Sequence, residues 1–239
     1  MPRVRKDADV RRNELLDVVL GLCVSQGFEG LSIEQITGAA GVAKGTFYYY
    51  FESKRDVLEQ LVQRFGEQHI SFIDAEMKKV EGSAVQKLRA MVDVSTRAWE
   101  SPELGAAVPF LMSLYDEDNY LVRQRVYSAW FEHSRPLYIA LVEQGAREGT
   151  LDVADPEATT DVLLTISLDA ANRVWERSLR IADPAARPAY LIRAAQASLT
   201  AQERILGIPA GSLNAGVTEA LGDVSATYFA SGGLEDPDL

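Results

Sequence analysis

The sequence predicts an all-α protein in two parts, a small N-terminal domain built on a helix-turn-helix and a larger helical bundle that follows it. Three observations carry this reading. Apolar residues recur at three- and four-residue steps through most of the chain, no run keeps a two-residue alternation, and turn signals cut the pattern into segments of helix length.

The first helix spans about residues 8 to 26, where Leu15, Val18, Val19, Leu22 and Cys23 share one face and Gly27 stops the run. Ser32 then precedes Ile33-Glu34-Gln35-Ile36, with Gln35 placed to complete a capping box, so a short second helix starts there and ends near Ala40. Gly41 supplies the left-handed residue of a sharp turn, and Val42 returns toward the core. A third short helix carries Lys44-Gly45-Thr46-Phe47-Tyr48-Tyr49-Tyr50-Phe51, and Ser53 caps a fourth with Val57, Leu58, Leu61, Val62 and Phe65 as its stripe. Turn signals at Glu81-Gly82-Ser83, Ser101-Pro102, Asp116 to Asn119, Gly149, Asp155-Pro156, Asp183-Pro184 and Gly207 to Gly211 divide the rest. The longest predicted helices cover about 119 to 148, 156 to 181 and 186 to 206, and such helices pack as a bundle. These boundaries give a helix-turn-helix domain at 1–66 with its motif at about 32–51, a second domain at 67–212, and a tail at 213–239 that lacks a stripe after Tyr228.

Charge separates the same two parts. Acidic residues outnumber basic ones 35 to 24, for a net charge of -11, yet residues 1 to 66 hold nine of each sign, so the excess belongs to the remainder. That excludes a general polycation and leaves room for a local reading surface. One cysteine and two histidines, His69 and His133, leave no disulfide and no Cys/His zinc cluster, so no metal and no cofactor is expected. The N-terminus shows no apolar targeting segment, and the expected location is the cytoplasm, away from membranes.

Two short helices joined by a glycine-centred turn form the unit that can place a helix in the major groove of duplex DNA. On the third helix Phe47, Tyr50 and Phe51 share a face, whereas Thr46 and Tyr49, with Lys44, Gly45 and Tyr48 more obliquely, lie elsewhere. The first set belongs mainly to the core and the second to DNA. Gly45 allows close approach to a sugar-phosphate backbone, Lys44 and Lys54 bring charge to phosphates, and Thr46 offers a hydroxyl. Gly38 to Thr46 has the wrong order for a phosphate loop, Lys-Gly-Thr, and follows a helix instead of a strand.

The stretch Leu15 to Leu58 resembles the DNA-binding domain of the TetR family of transcriptional regulators. The resemblance rests on Gly27-Phe28, Ser32, Ile36, Ala40-Gly41-Val42, Lys44-Gly45-Thr46, Phe47-Tyr48, Tyr50-Phe51 and Ser53-Lys54. Cys23 stands where the family usually has a large aromatic, Thr37 and Gly38 where small helix formers are common, and Tyr49 at a variable position. The resemblance implies DNA contacts from Ser32, Thr37, Lys44, Gly45, Thr46, Tyr48, Tyr49 and Lys54, with phosphates held by amides at the helix starts. It also implies a homodimer, a palindromic operator and a small-molecule effector. The basic arm Arg3, Arg5, Lys6, Arg11 and Arg12 is either a groove contact or an untethered tail.

In the second domain Tyr127, Trp130, Phe131, Ser134, Tyr138 and Leu141 repeat along one helix, and Trp99, Phe110, Met112, Tyr115 and Trp175 add bulk. Most of this is core, but polar-tipped aromatics also suit a ligand chamber. The expected lining is Trp99, Phe110, Met112, Tyr127, Trp130 and Phe131, with Asn172 and Trp175 from a later helix. Pro109 and Pro136 break backbone bonding beside it. Leu163 and Ile166 on one helix, with Leu191, Ala195, Ser198, Gln202 and Ile205 on the last, are the expected dimer interface, the alternative being that both stripes are buried within one chain. A helical-bundle enzyme using Asp169 or Glu176 lacks any supporting motif, and an interaction module without DNA binding is at odds with Lys44, Gly45, Thr46, Tyr48 and Lys54.

Overall fold

The computed structural model describes residues 8–26, 28, 30–98, 111–115 and 119–214, and every regular element among them is helical. The chain divides into two compact units, one of residues 1–65 and 106–126 and the other of residues 66–105 and 127–239.

In the first unit α1 (Ala8–Gln26), α2 (Ile33–Ala40), α3 (Lys44–Tyr50) and the first half of α4 (Lys54–Met77) enclose a core that includes Leu15, Val19, Phe28, Ile36, Phe47, Phe51, Val57, Leu58 and Leu61. The start of α2 is set by Ser32, whose Oγ accepts from the Gln35 amide at 3.1 Å while its own amide donates to Gln35 Oε1 at 2.8 Å. Gly41 closes α2 at φ 62°, which frees its amide to donate to Gly38 O and lets the Val42 amide reach Thr37 O. Ser53 Oγ accepts from the Asp56 amide at 3.1 Å and so starts α4. Arg64 on α4 donates to Asp17 on α1 at 2.7 Å.

The same unit includes residues 106–126, which a boundary at 66 assigns to the second domain. Leu111, Met112, Leu114, Val122 and Val126 are buried there, and Arg125 pairs with Glu59 of α4 at 2.6 Å. An amphipathic segment advertises an apolar face, and its local pattern does not say which core will receive it.

The second unit holds the rest of α4, then α5 (Ala84–Arg97), most of α6 (Tyr120–Glu148), α7 (Pro156–Leu164), α8 (Ala170–Leu179) and α9 (Arg187–Ile205). Its core includes Met77, Leu88, Met91, Leu141, Val142, Leu163, Leu199 and Leu206. Ser83 and Gln86 form a second capping box at α5, and Asp155 Oδ1 accepts from the Ala158 amide to start α7. The expected continuous helix at 156–181 is interrupted by a π-helical turn, Thr165–Asp169, and α8 ends at Leu179. A π turn inserts a residue without any turn-forming side chain, which is why periodicity alone does not reveal it. Leu213 also departs from the sequence reading: it is 2% exposed and belongs to the core, because buried Glu203 accepts from the amides of Gly211 and Leu213 at 2.9 and 2.8 Å and folds that segment back. The tail beyond 214 and the arm before Ala8 lie outside the described residues.

Candidate nucleic-acid interface

One face of α3 is turned away from its core. Phe47 and Phe51 are fully buried, whereas Tyr48 is 51% and Tyr49 75% exposed. The exposed rings are braced from behind. Tyr48 stands edge-on to Phe47 with ring centroids 5.5 Å apart, and Tyr49 edge-on to Tyr50 at 4.8 Å. Two phenol hydroxyls are thus presented on rings whose inner edges are held.

Gly45 lies on the same helix with open space around it: a Cβ built there meets nothing within 4 Å. No contact among the described residues requires glycine at this position, although glycine weakens a helix relative to alanine. The vacancy suits something approaching from outside.

Lys44 is exposed and its Nζ donates to Glu34 Oε1 at 2.5 Å. That hydrogen bond and the opposite charge hold the Glu34 carboxyl below its ordinary range and raise the Lys44 ammonium above its own. The cation expected to meet phosphate therefore sits against a carboxylate of α2. Thr46 is half-buried, and Ser32 is engaged in its capping box. Lys54 is half-buried with its ammonium 4.6 Å from the centre of the Phe28 ring, a cation-π contact that turns it partly inward.

Thr37 corrects the expected DNA-contact set. It is 7% exposed, and its hydroxyl donates to Ile33 O at 2.9 Å and also reaches Glu34 O at 3.2 Å. A threonine at mid-helix satisfies its hydroxyl on the preceding turn, and the short α2 turns this position toward its own domain.

The expected ligand lining is only partly assembled. Tyr127 and Trp130 meet edge-on with centroids 5.5 Å apart, and His69 of α4 lies 6.0 Å from Trp130. Trp130 Nε1 is buried without a hydrogen-bond partner among the described residues, and a Cβ at Gly66 would come within 2.7 Å of it. Gly66 and His69 are thus neighbours that the sequence reading misses; the signal was a glycine interrupting the apolar stripe of α4, which marks a close approach. Burial holds the His69 imidazolium pKa below its usual value, against a hydrogen bond to the Ser95 backbone. Phe131 is half-buried one position further on α6. Asn172 is 4% exposed on α8, and its Oδ1 has no partner among the described residues; Trp175 is half-buried one turn on. No described contact joins this pair to Trp130. Met112 is corrected: it is 8% exposed in the core of the first unit. Trp99 and Phe110 lie outside the described residues, as does Pro109.

The expected dimer stripes also need correction. Leu163 at 1% and Leu191 at 3% exposure are buried within the chain, and Ile205 packs on the same core as Leu163. Gln202 is 7% exposed; its Oε1 accepts from Ser167 Oγ at 3.2 Å and its Nε2 donates to Ser198 Oγ at 3.3 Å. The small residues let α9 approach α7 and α8 of its own chain, so Leu163, Leu191 and Gln202 are spent internally. Ile166 and Ala195 stay partly exposed, and Val162 on the outer side of α7 is 49% exposed.

Among the described residues no three His, Cys, Asp or Glu side chains converge where a metal ion could sit, and no helix is long and apolar enough to cross a membrane. A glycine-turned helix pair, whose second helix carries exposed tyrosines and a lysine at its start, makes a helix-turn-helix unit of the kind that can place a helix in a DNA groove. Residues 15–61 match the family model of the bacterial regulatory proteins of the tetR family. Over these residues the chain is similar to the DNA-binding domain of that family. It is 30% identical over 99 residues to the nucleoid occlusion factor SlmA of Haemophilus ducreyi, an alignment covering 41% of this chain and 49% of that protein. To the transcriptional repressor KstR2 of Rhodococcus jostii it is 24% identical over 146 residues, 59% of this chain and 67% of the relative. The chain thus spans about half the length of the first of these relatives. Its fold is shared with the regulator FadR of Bacillus subtilis solved with stearoyl-CoA, at a TM-score of 0.53 and 19% identity over 76% of this chain and 96% of that one.

Proposed function

We propose that this protein is a homodimeric repressor that binds a palindromic DNA operator and is released from it by a small molecule. The observation that carries the reading is the outward face of α3, where Lys44, the open space at Gly45, and the exposed rings of Tyr48 and Tyr49 occupy one side of a helix whose other side is buried. A helix entering the major groove needs a cation for phosphate, a point of close approach and side chains that reach base edges, and this face supplies each. Thr46 and the Ser32 hydroxyl add backbone contacts, while Lys54 contributes only by leaving the Phe28 ring.

One short reading helix specifies too few bases to find an operator among competing sites, which supports a dimer. Its interface is the outer side of α7, the π turn after it and α9, around Val162 and Ile166, since the inner stripes are already buried. The effector site lies in the bundle beside Tyr127 and Trp130, where a buried indole N–H lacks an acceptor among the described residues. KstR2 is a repressor and FadR holds stearoyl-CoA, so the family and the fold accommodate both halves of this reading. The ligand must favour one arrangement of the dimer; a ~100-fold loss of operator affinity needs about 2.7 kcal/mol of coupling.

Lys44→Ala and Tyr49→Ala separate the roles on α3. The first is expected to weaken binding to all duplexes alike and flatten the log-log salt dependence by about one unit, and the second to change which bases are preferred. Equal salt slopes for Lys44→Ala and the unaltered protein would remove α3 from the phosphate backbone. Trp130→Phe is expected to blunt the response to effector while operator affinity stays within a few-fold.

A further inference from the structure

Arg123, near the start of α6 in the first unit, is 4% exposed and has no carboxylate partner among the described residues. Its Nη1 donates to Leu114 O at 2.9 Å, and its guanidinium carbon lies 4.8 Å from the centre of the Tyr115 ring and 5.5 Å from that of Tyr120. Its Nε is buried with no hydrogen-bond partner among the described residues. Two ring contacts and one carbonyl offset only part of the hydration this guanidinium loses on burial. Further along the same helix Arg125 pairs with Glu59, and Arg135 with both Asp161 and Glu157. Arg123, two residues before Arg125, is buried without a carboxylate partner among the described residues.

We propose that Arg123 anchors an oxyanion site in the DNA-reading unit, one that takes the carboxylate of a small apolar or aromatic acid. The Nε–H side of a guanidinium is the edge that grips a carboxylate side-on, and engagement of Leu114 through Nη1 leaves that edge without a protein acceptor. The two tyrosine rings flank the cation, which suits a planar carboxylate better than a tetrahedral phosphate. Tyr120 and Leu121, which are 52% and 58% exposed, would give an apolar lip for the remainder of the acid once the Tyr120 ring moves aside. Two residues on, Arg125 ties the same helix to Glu59 on α4, the helix that follows the reading helix. An acid bound at Arg123 therefore bears on the reading unit directly. The site is separate from the effector site beside Trp130 and does not depend on it.

The test uses the full chain, with sodium benzoate, sodium acetate and inorganic phosphate as probes and sodium chloride holding ionic strength constant. The readout is the Nε–H resonance of Arg123 together with thermal unfolding. Benzoate is expected to shift that resonance saturably, to bind more tightly than phosphate, and to raise the unfolding midpoint. Arg123→Lys keeps the charge but loses the fork, and is expected to weaken benzoate binding about tenfold or more. An unmoved resonance with all three probes overturns the site, as does unchanged benzoate affinity in Arg123→Lys. Preference for phosphate overturns the carboxylate assignment. The acidic run Asp116-Glu117-Asp118 supplies the remaining control: if Asp116→Asn/Glu117→Gln/Asp118→Asn binds benzoate and the unaltered protein does not, an acid of the chain itself fills the fork and the proposal fails. The resonance titration on the unaltered protein decides the matter even if the arginine variant does not fold.

Discussion

Gly45→Ala places stability and function in opposition at a single methyl group. A Cβ at this position meets nothing within 4 Å, and the residue is helical. Alanine then recovers part of the helix propensity that glycine forgoes, about 0.5–1 kcal/mol. In a unit of this size that raises the unfolding midpoint by about 2–8 °C when the unit melts on its own. On DNA the same methyl occupies the space through which a sugar-phosphate backbone is expected to approach. Overpacking of a close contact costs about 1–3 kcal/mol, which corresponds to a loss of about 5- to 150-fold in affinity. Thermal melts by circular dichroism and fluorescence anisotropy with a labelled duplex at fixed salt read the two effects separately. A stabilised variant that binds DNA as before would show that Gly45 does not face the duplex. A destabilised variant would refute the open space itself.

Three further outcomes follow from the geometry. Glu34→Gln releases Lys44 from its carboxylate partner and removes a negative charge from the reading surface, so affinity for any duplex is expected to rise about two- to fivefold at low salt and the gain to shrink as salt is added; unchanged affinity would mean that Lys44 does not reach phosphate. Val162→Arg is expected to raise the dimer dissociation constant by about a hundredfold in sedimentation equilibrium, because it buries an unpaired charge, and an intact dimer would move the interface elsewhere. The His69 pKa is depressed by burial, so the unfolded chain binds the proton more readily and stability falls as pH drops below about 6.5 toward the folded value. The slope is at most about 1.4 kcal/mol per pH unit. Urea melts of His69→Gln are expected to lose that portion of the pH dependence, and an unchanged profile would place the titration at another group.

The reading head is legible in the sequence because its determinants are local. Ser32, Gln35, Gly41 and Ser53 each fix a helix end through bonds that span no more than five residues, and Phe47 and Phe51 are separated from Tyr48 and Tyr49 by helical period alone. What escaped is decided by partners far along the chain. Leu163 and Leu191 sit on stripes that suit either a twofold copy or their own bundle, and only the packed chain shows the second. Met112 belongs to a segment that joins the first unit, and Gly66 gains its meaning from Trp130, more than sixty residues later. Thr37 failed for another reason: helical phase on an eight-residue helix leaves little margin, and its hydroxyl found the Ile33 carbonyl. Arg123 carries no signal at all, because an arginine in a helical run reads as surface until its exposure is known.

Selection of bound fragments from a random duplex library, at defined salt and with the full chain, tests the central claim most directly. The account predicts enrichment of a palindrome whose half-site centres lie about one or more helical turns apart, roughly 34 Å each, and whose recovery collapses with Tyr49→Ala. Fragments with no common sequence, or with a single unpaired half-site, would contradict it.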